Sequence, residues 1–193
     1  SETMLEYAEL TIDDIVNANI DPSEPVSEWP LEGLCGKLTQ YCYYFGDIDE
    51  SDLRPIANKG GIGALRDFLV KKSQDAYRTK CEEVEAVEPG LMPEAERFFL
   101  LSQTDNLWKE HLQAIKFVQQ AVGLRGYAQK DPLIEYKLEG FNLYQEMRAQ
   151  IRRNVIYSTY MFQPKRAVPE KESEEGDLVA AGEAKPNSRK KQA

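Results

Sequence analysis

The chain has 193 residues, 41% hydrophobic and 30% charged, with a net charge of −9 and a pI near 4.8. That length suits one compact domain, or two small ones with a tail. The acidic balance argues against nucleic acid as the main partner, since phosphate neutralisation needs a basic surface. No apolar run approaches the roughly 20 residues that span a bilayer, and the opening SETMLEYAEL has no signal-peptide core.

Leu5, Ala8, Ile12, Ile15 and Val16 repeat at three and four, which predicts a helix ending near Ile20, before Asp21-Pro22, Pro25 and Pro30. It leaves little room for a cap in front, so the chain reads as one cut inside a longer helix. Leu31, Leu34, Cys35, Leu38, Tyr41, Cys42 and Phe45 predict a second helix with one buried face. The acidic GDIDESDLRP that follows reads as a solvated loop between helices. It fails as a calcium loop, with Asp52 where the glycine belongs and Asn58 where the bidentate glutamate belongs. NKGGIG lacks the G-K-[ST] of a phosphate cradle, so its glycines are expected to open a helix carrying Leu65, Phe68, Leu69, Ala76 and Val84 toward residue 87. Cys35, Cys42 and Cys81 have no C-x-x-C spacing; they read as small core residues in a reducing compartment.

EPGLMPEAER breaks the chain again. Leu100, Leu101, Leu107, Trp108, His111, Leu112, Ile115, Val118 and Val122 then form one broad stripe, and Tyr136, Leu143, Met147, Ile151 and Val155 form another, widened by Phe141 and Tyr144. Two helices of similar length joined by a short glycine-containing loop predict an antiparallel hairpin whose tip projects. From about Gln163 the sequence is polar, Pro/Gly-dotted and charge-rich, acidic first and basic last, and is expected to be disordered. No segment reads as a strand, so the fold class is all-α.

Catalytic groups are sparse. The one histidine, His111, sits in W-x-x-H-L on an apolar helix face, where a largely buried imidazole hydrogen-bonded across the helix interface is expected. A general base would need a nucleophile and an orienting group beside it. A lone histidine and scattered cysteines give no metal site, and without a Walker-type loop no ATP hydrolysis is expected from this chain. No cofactor is expected on it.

At the hairpin tip, Gly123 and Gly126 permit a reversal, and Asp131 with Pro132 suits an N-cap followed by N1. Tyr127, flanked by Arg125 and Lys130, has no such explanation, because turns favour small polar residues. It either folds back onto the helices or offers a broad amphipathic surface to a partner.

Residues 96–147 resemble the helical scaffold and two-helix finger of the SecA family of protein-translocation ATPases. The resemblance rests on W-x-x-H-L at Trp108–Leu112, L-R-G-Y-A-Q-K-D-P at Leu124–Pro132 and E-Y-K-x-E at Glu135–Glu139. SEWPLEGLCGKL at 27–38 resembles the start of the family's helical wing. By this resemblance 1–20 ends the long scaffold helix, 21–88 is the wing, 89–162 is scaffold and finger, and 163–193 is a tail.

The resemblance implies that the finger inserts toward a SecY/SecE-type channel and that Tyr127, with Arg125 and Lys130 beside it, contacts unfolded preprotein. It implies a turn built on Gly123, Gly126, Asp131 and Pro132, and scaffold packing by Trp108, His111 and Leu112. The nucleotide-binding domains, with their ATP and Mg, are then partners of this region, which is not an enzyme by itself. Many bacterial members end in a cysteine-rich zinc tail that binds lipid and the chaperone SecB. This tail has no cysteine and ends NSRKKQA, so zinc is not expected, although the basic end is a weak candidate for an anionic membrane surface. A zinc-free tail points to the plastid stroma with peripheral thylakoid association, the alternative being bacterial cytoplasm and inner-membrane periphery. The competing functional reading is a free-standing helical interaction module, closed and monomeric. The SecA reading instead predicts an apolar surface left uncovered.

Overall fold

α1 (Glu2–Asn19), α2 (Leu31–Tyr41), α3 (Glu50–Val87), α4 (Leu91–Arg125) and α5 (Pro132–Met161) account for most of the described chain, with 3-10 turns at Val26–Glu28 and Tyr43–Phe45. The computed structural model describes residues 2–125, without the side chains of 123–125, and 131–164. Among them there is no strand, so the fold is all-α, and no helix is long and apolar enough to cross a membrane. The expected disordered tail lies outside the described residues from position 165 onward.

α1 buries Met4, Ala8, Ile12 and Val16, a row at steps of four. The Ile20 N–H closes on the Val16 carbonyl at 2.9 Å, and the Asp21 carboxylate then accepts from the Ser23 N–H at 2.9 Å and hydroxyl at 2.6 Å. These bonds turn the chain, as Asp and Ser do in Asx turns. Trp29 donates its indole N–H to the Glu24 carbonyl at 3.0 Å, so its ring is buried with its one polar atom satisfied. α2 buries Leu31, Leu34, Leu38 and Tyr41. It ends at Tyr41, short of the last two stripe positions, because Cys42 is extended (φ −150°, ψ 120°), and the 3-10 turn that follows puts Phe45 fully in the core.

α3 corrects two expectations. The acidic segment is mostly helix, not loop: Asp49 accepts from the Ser51 and Asp52 N–H groups at 2.8 and 3.3 Å, and the Asp52 carboxylate accepts from the Asp49 N–H at 3.2 Å. This reciprocal capping starts a helix at Glu50. The NKGGIG glycines therefore interrupt a helix that has already begun. Gly61 has φ 65° and ψ −155°, and a Cβ at Gly60 would lie 2.5 Å from the Ala64 Cβ. One glycine is needed for backbone conformation and the other for close approach. Beyond the kink, Leu65, Leu69, Ser73, Ala76, Tyr77, Lys80 and Val84 are buried.

The core lies where α1, α2, α3 and the C-terminal half of α5 meet. Tyr160 of α5 is fully buried and donates to the Ser73 carbonyl at 2.8 Å, so the Ser73 hydroxyl, 2.9 Å away, donates to Tyr160. Two adjacent acids of α1 reach different helices: Asp13 pairs with Arg66 of α3, and Asp14 with Arg152 and Arg153 of α5. The free cysteines fit the small-residue reading unevenly, Cys42 being buried and Cys35 and Cys81 half-buried.

Candidate functional site

α4 and α5 pack on each other as an antiparallel hairpin that leaves the core. At 1.5 Å per residue they span on the order of 50 and 45 Å. At the base, the turn from α3 is fixed by Gly90 (φ 87°) and by the Glu85 carboxylate, which accepts from the Gly90 and Met92 N–H groups at 2.7 and 3.1 Å. Glu96 of α4, itself buried, accepts from the Tyr77 hydroxyl, and Asn154 donates to Gln103 across the hairpin at 2.9 Å. Burial and the carboxylate partner push the Tyr77 hydroxyl well above the usual phenol range, so it stays a donor.

Beyond the base the hairpin has only itself to pack against. Between Leu107 and Met147, Val122 is the one buried residue among those described. At Gly140 the two helices run close together, and an added Cβ would meet Ile115 Cδ1 at 3.4 Å. Sequence reasoning passed over it, although a glycine inside a strongly helical run is a signal of close backbone contact.

At the far end, Asp131 is the N-cap of α5, its carboxylate accepting from the Leu133 N–H at 2.9 Å, and Pro132 is at the first helical position. Gly123 and Arg125 lie within α4, which runs to Arg125, and α5 begins at Pro132. Gly126, Tyr127 and Lys130 lie outside the described residues.

The stripe residues expected to pack the scaffold divide. Trp108 and Leu112 are 45% and 46% exposed. The reason is geometric: a two-helix hairpin covers one side of each helix, and this stripe is wider than that side. His111 is half-buried and makes ring contacts in place of the expected hydrogen bond, 5.6 Å from Trp108 and 6.2 Å from Tyr144 between ring centres.

The sequence pattern puts Phe141 on the packed stripe and does not single out Ile134 or Leu138, yet the three form a second, uncovered apolar row. Ile134, Leu138 and Phe141, at steps of four and three on α5, are 64%, 61% and 58% exposed. They lie on the face away from Tyr136, Gly140 and Leu143, which are half-buried against α4. With Phe117 at 71% exposed, both helices of the hairpin present large apolar side chains to solvent. Surfaces of this kind mark interaction sites.

The comparisons with known proteins agree with this architecture. The family model described as the SecA wing and scaffold domain matches residues 1–163. The chain is 82% identical over 191 residues to the chloroplastic protein translocase subunit SecA of Ostreococcus lucimarinus, covering 98% of this chain and 20% of that protein. It is 57% identical over 169 residues to chloroplastic SECA1 of Arabidopsis thaliana, covering 88% and 16%. With SecA of Thermosynechococcus vestitus it shares 45% identity over 168 residues, covering 87% and 18%. The chain thus spans a fifth or less of the length of these relatives. With a family model covering most of its length and an all-helical wing-and-hairpin fold, the chain belongs to the SecA wing and scaffold family.

Proposed function

We propose that this region contacts the translocating preprotein and a SecY/SecE-type channel through the hairpin, and couples them to the ATPase domains of a SecA motor. The observation that carries the proposal is the hairpin itself, anchored at one end in a buried core and bearing uncovered apolar rows along the other. A stiff hairpin turns a small rotation at its base into a larger displacement at its tip. Tyr127 is the tip residue suited to gripping peptide, since an aromatic side chain gives broad contact at low entropic cost, and Arg125 and Lys130 flank it. ATP and Mg are bound by the motor domains, not by this region.

The free-standing module is disfavoured by the same rows. A closed monomeric domain has no reason to leave Phe117, Ile134, Leu138 and Phe141 more than half exposed. The chloroplastic relatives support a plastid location, and within the plastid we propose the stroma with peripheral thylakoid association. The basic tail end supplies a weak attraction to anionic lipid.

The test is a photocrosslinking side chain at position 127 in the full-length motor, with a stalled preprotein as cargo. Crosslinks to preprotein or channel, absent when the probe replaces the buried Leu107, are the expected result. A motor that translocates without crosslinking at 127 would return Tyr127 to a packing role.

A further inference from the structure

α5 is held unevenly along its length. From Met147 onward it buries Met147, Ile151, Val155, Ile156, Thr159 and Tyr160. The same half is tied to α1 by Arg152 on Asp14 and to α4 by Asn154 on Gln103. From Pro132 to Glu146 no residue of α5 is more than half-buried, and Gly140 stands in the middle of that stretch. The helix runs unbroken through it. Close approach does not by itself demand glycine there. An added Cβ would meet Ile115 Cδ1 at 3.4 Å, which is van der Waals contact with the movable end of a side chain. Glycine in place of alanine lowers the local helix–coil constant by about fivefold, because its backbone has the most freedom to regain.

We propose that Gly140 is a flexure in α5. The hairpin is stiff from its base to Met147, and the two turns before Gly140, about 12 Å of helix, bend and open about the glycine. Hinges are built this way, from a small residue that absorbs backbone change between a well-packed part and a loosely packed one. The part that bends carries Ile134 and Leu138 of the uncovered apolar row, 64% and 61% exposed. These two side chains therefore reorient while the anchor of Arg152 on Asp14 stays in place. A compliant end lets the hairpin follow a polypeptide whose side chains change as it passes. That use rests on the proposed contact with preprotein; the flexure itself does not.

The test is hydrogen exchange of the full-length protein, read by mass spectrometry. It compares the amides of 136–144, whose helical bonds span Gly140 or lie on its tip side, with those of 151–160. In the wild type the first set should exchange at least tenfold faster. Gly140→Ala should slow 136–144 by about fivefold and leave 151–160 unchanged. Should the new methyl group crowd Ile115 and speed exchange instead, Ile115→Val removes Cδ1. Adding Gly140→Ala to that variant must then slow 136–144 relative to Ile115→Val alone. Equal protection of the two segments in the wild type, no slowing by Gly140→Ala in either background, or slowing spread along all of α5 would each overturn the proposal. A crosslinking result at Tyr127 leaves these rates untouched, so the flexure and the preprotein contact fail separately.

Discussion

Arg152 of α5 donates from Nη2 to the carboxylate of Asp14 on α1, 138 residues earlier, and Nη1 of Arg153 stands 3.7 Å from the same oxygen. One acid therefore ties the base of the hairpin to the first helix. The Asp14 side chain is 39% exposed and that of Arg152 is 17% exposed. Solvent screens this pair in part, and its coupling should be about 1 kcal/mol rather than the several expected of a fully buried bridge. A double-mutant cycle of Asp14→Ala and Arg152→Ala, read by chemical denaturation, measures it. Additive losses would mean that this pair contributes nothing to holding the hairpin on the first helix.

Two glycine substitutions should move stability in opposite directions. Gly61 has φ 65°, in a region where a Cβ is strained, so Gly61→Ala should cost about 1–3 kcal/mol. Gly33 lies inside α2, where an added methyl group would meet nothing within 4 Å, and alanine is the better helix former there. Gly33→Ala should stabilise by up to about 1 kcal/mol. Thermal melts of the two variants decide the matter. A neutral Gly61→Ala would show that the kink relaxes at little cost.

The buried hydroxyl pair of Ser73 and Tyr160 joins α3 to α5. Tyr160→Phe keeps the ring but leaves the Ser73 carbonyl without this donor and the Ser73 hydroxyl without its acceptor. The expected loss is about 1–3 kcal/mol. Tyr157→Phe, three residues earlier at 45% exposure, should be neutral within about 0.5 kcal/mol. Equal effects at the two positions would remove the network as a stabilising element.

Much of this fold was legible because α1, α2 and the hairpin announce themselves by period. Rows such as Met4–Ala8–Ile12–Val16 bury one face and need no knowledge of the partner. The start of α3 was hidden because Asp49, Glu50 and Asp52 read as solvated charge; the Asp-x-x-Asp pattern that caps it is visible only when acids are weighed as caps. Exposure on the hairpin was misjudged for a different reason. Periodicity says which side chains share a face, while the coverage of Trp108 and Leu112 depends on how many helices pack there. Contacts such as Arg152 with Asp14, or Gly140 with Ile115, join distant positions and leave no local trace.

Cys42 offers a pH test with a defined sign. Its burial pushes the thiol from 9.0 up to about 12, offset in part by a backbone hydrogen bond from Tyr44 and by the nearby Lys80 charge. A thiol held neutral in the fold binds its proton more tightly there than in the unfolded chain. Its contribution to stability is therefore complete below pH 9 and declines as pH rises from about 9 toward 12. The stability gap between the wild type and Cys42→Ala should narrow over that window in a pH series of melts. Alkylation gives an independent reading, because only the thiolate reacts. Under native conditions at pH 8, Cys42 should label at least about a hundredfold more slowly than the half-buried Cys35 and Cys81, whose thiols burial raises less far. All three should react alike in denaturant. Rapid native labelling of Cys42 would mean that the junction of α2 with the following 3-10 turn opens far more often than its burial implies.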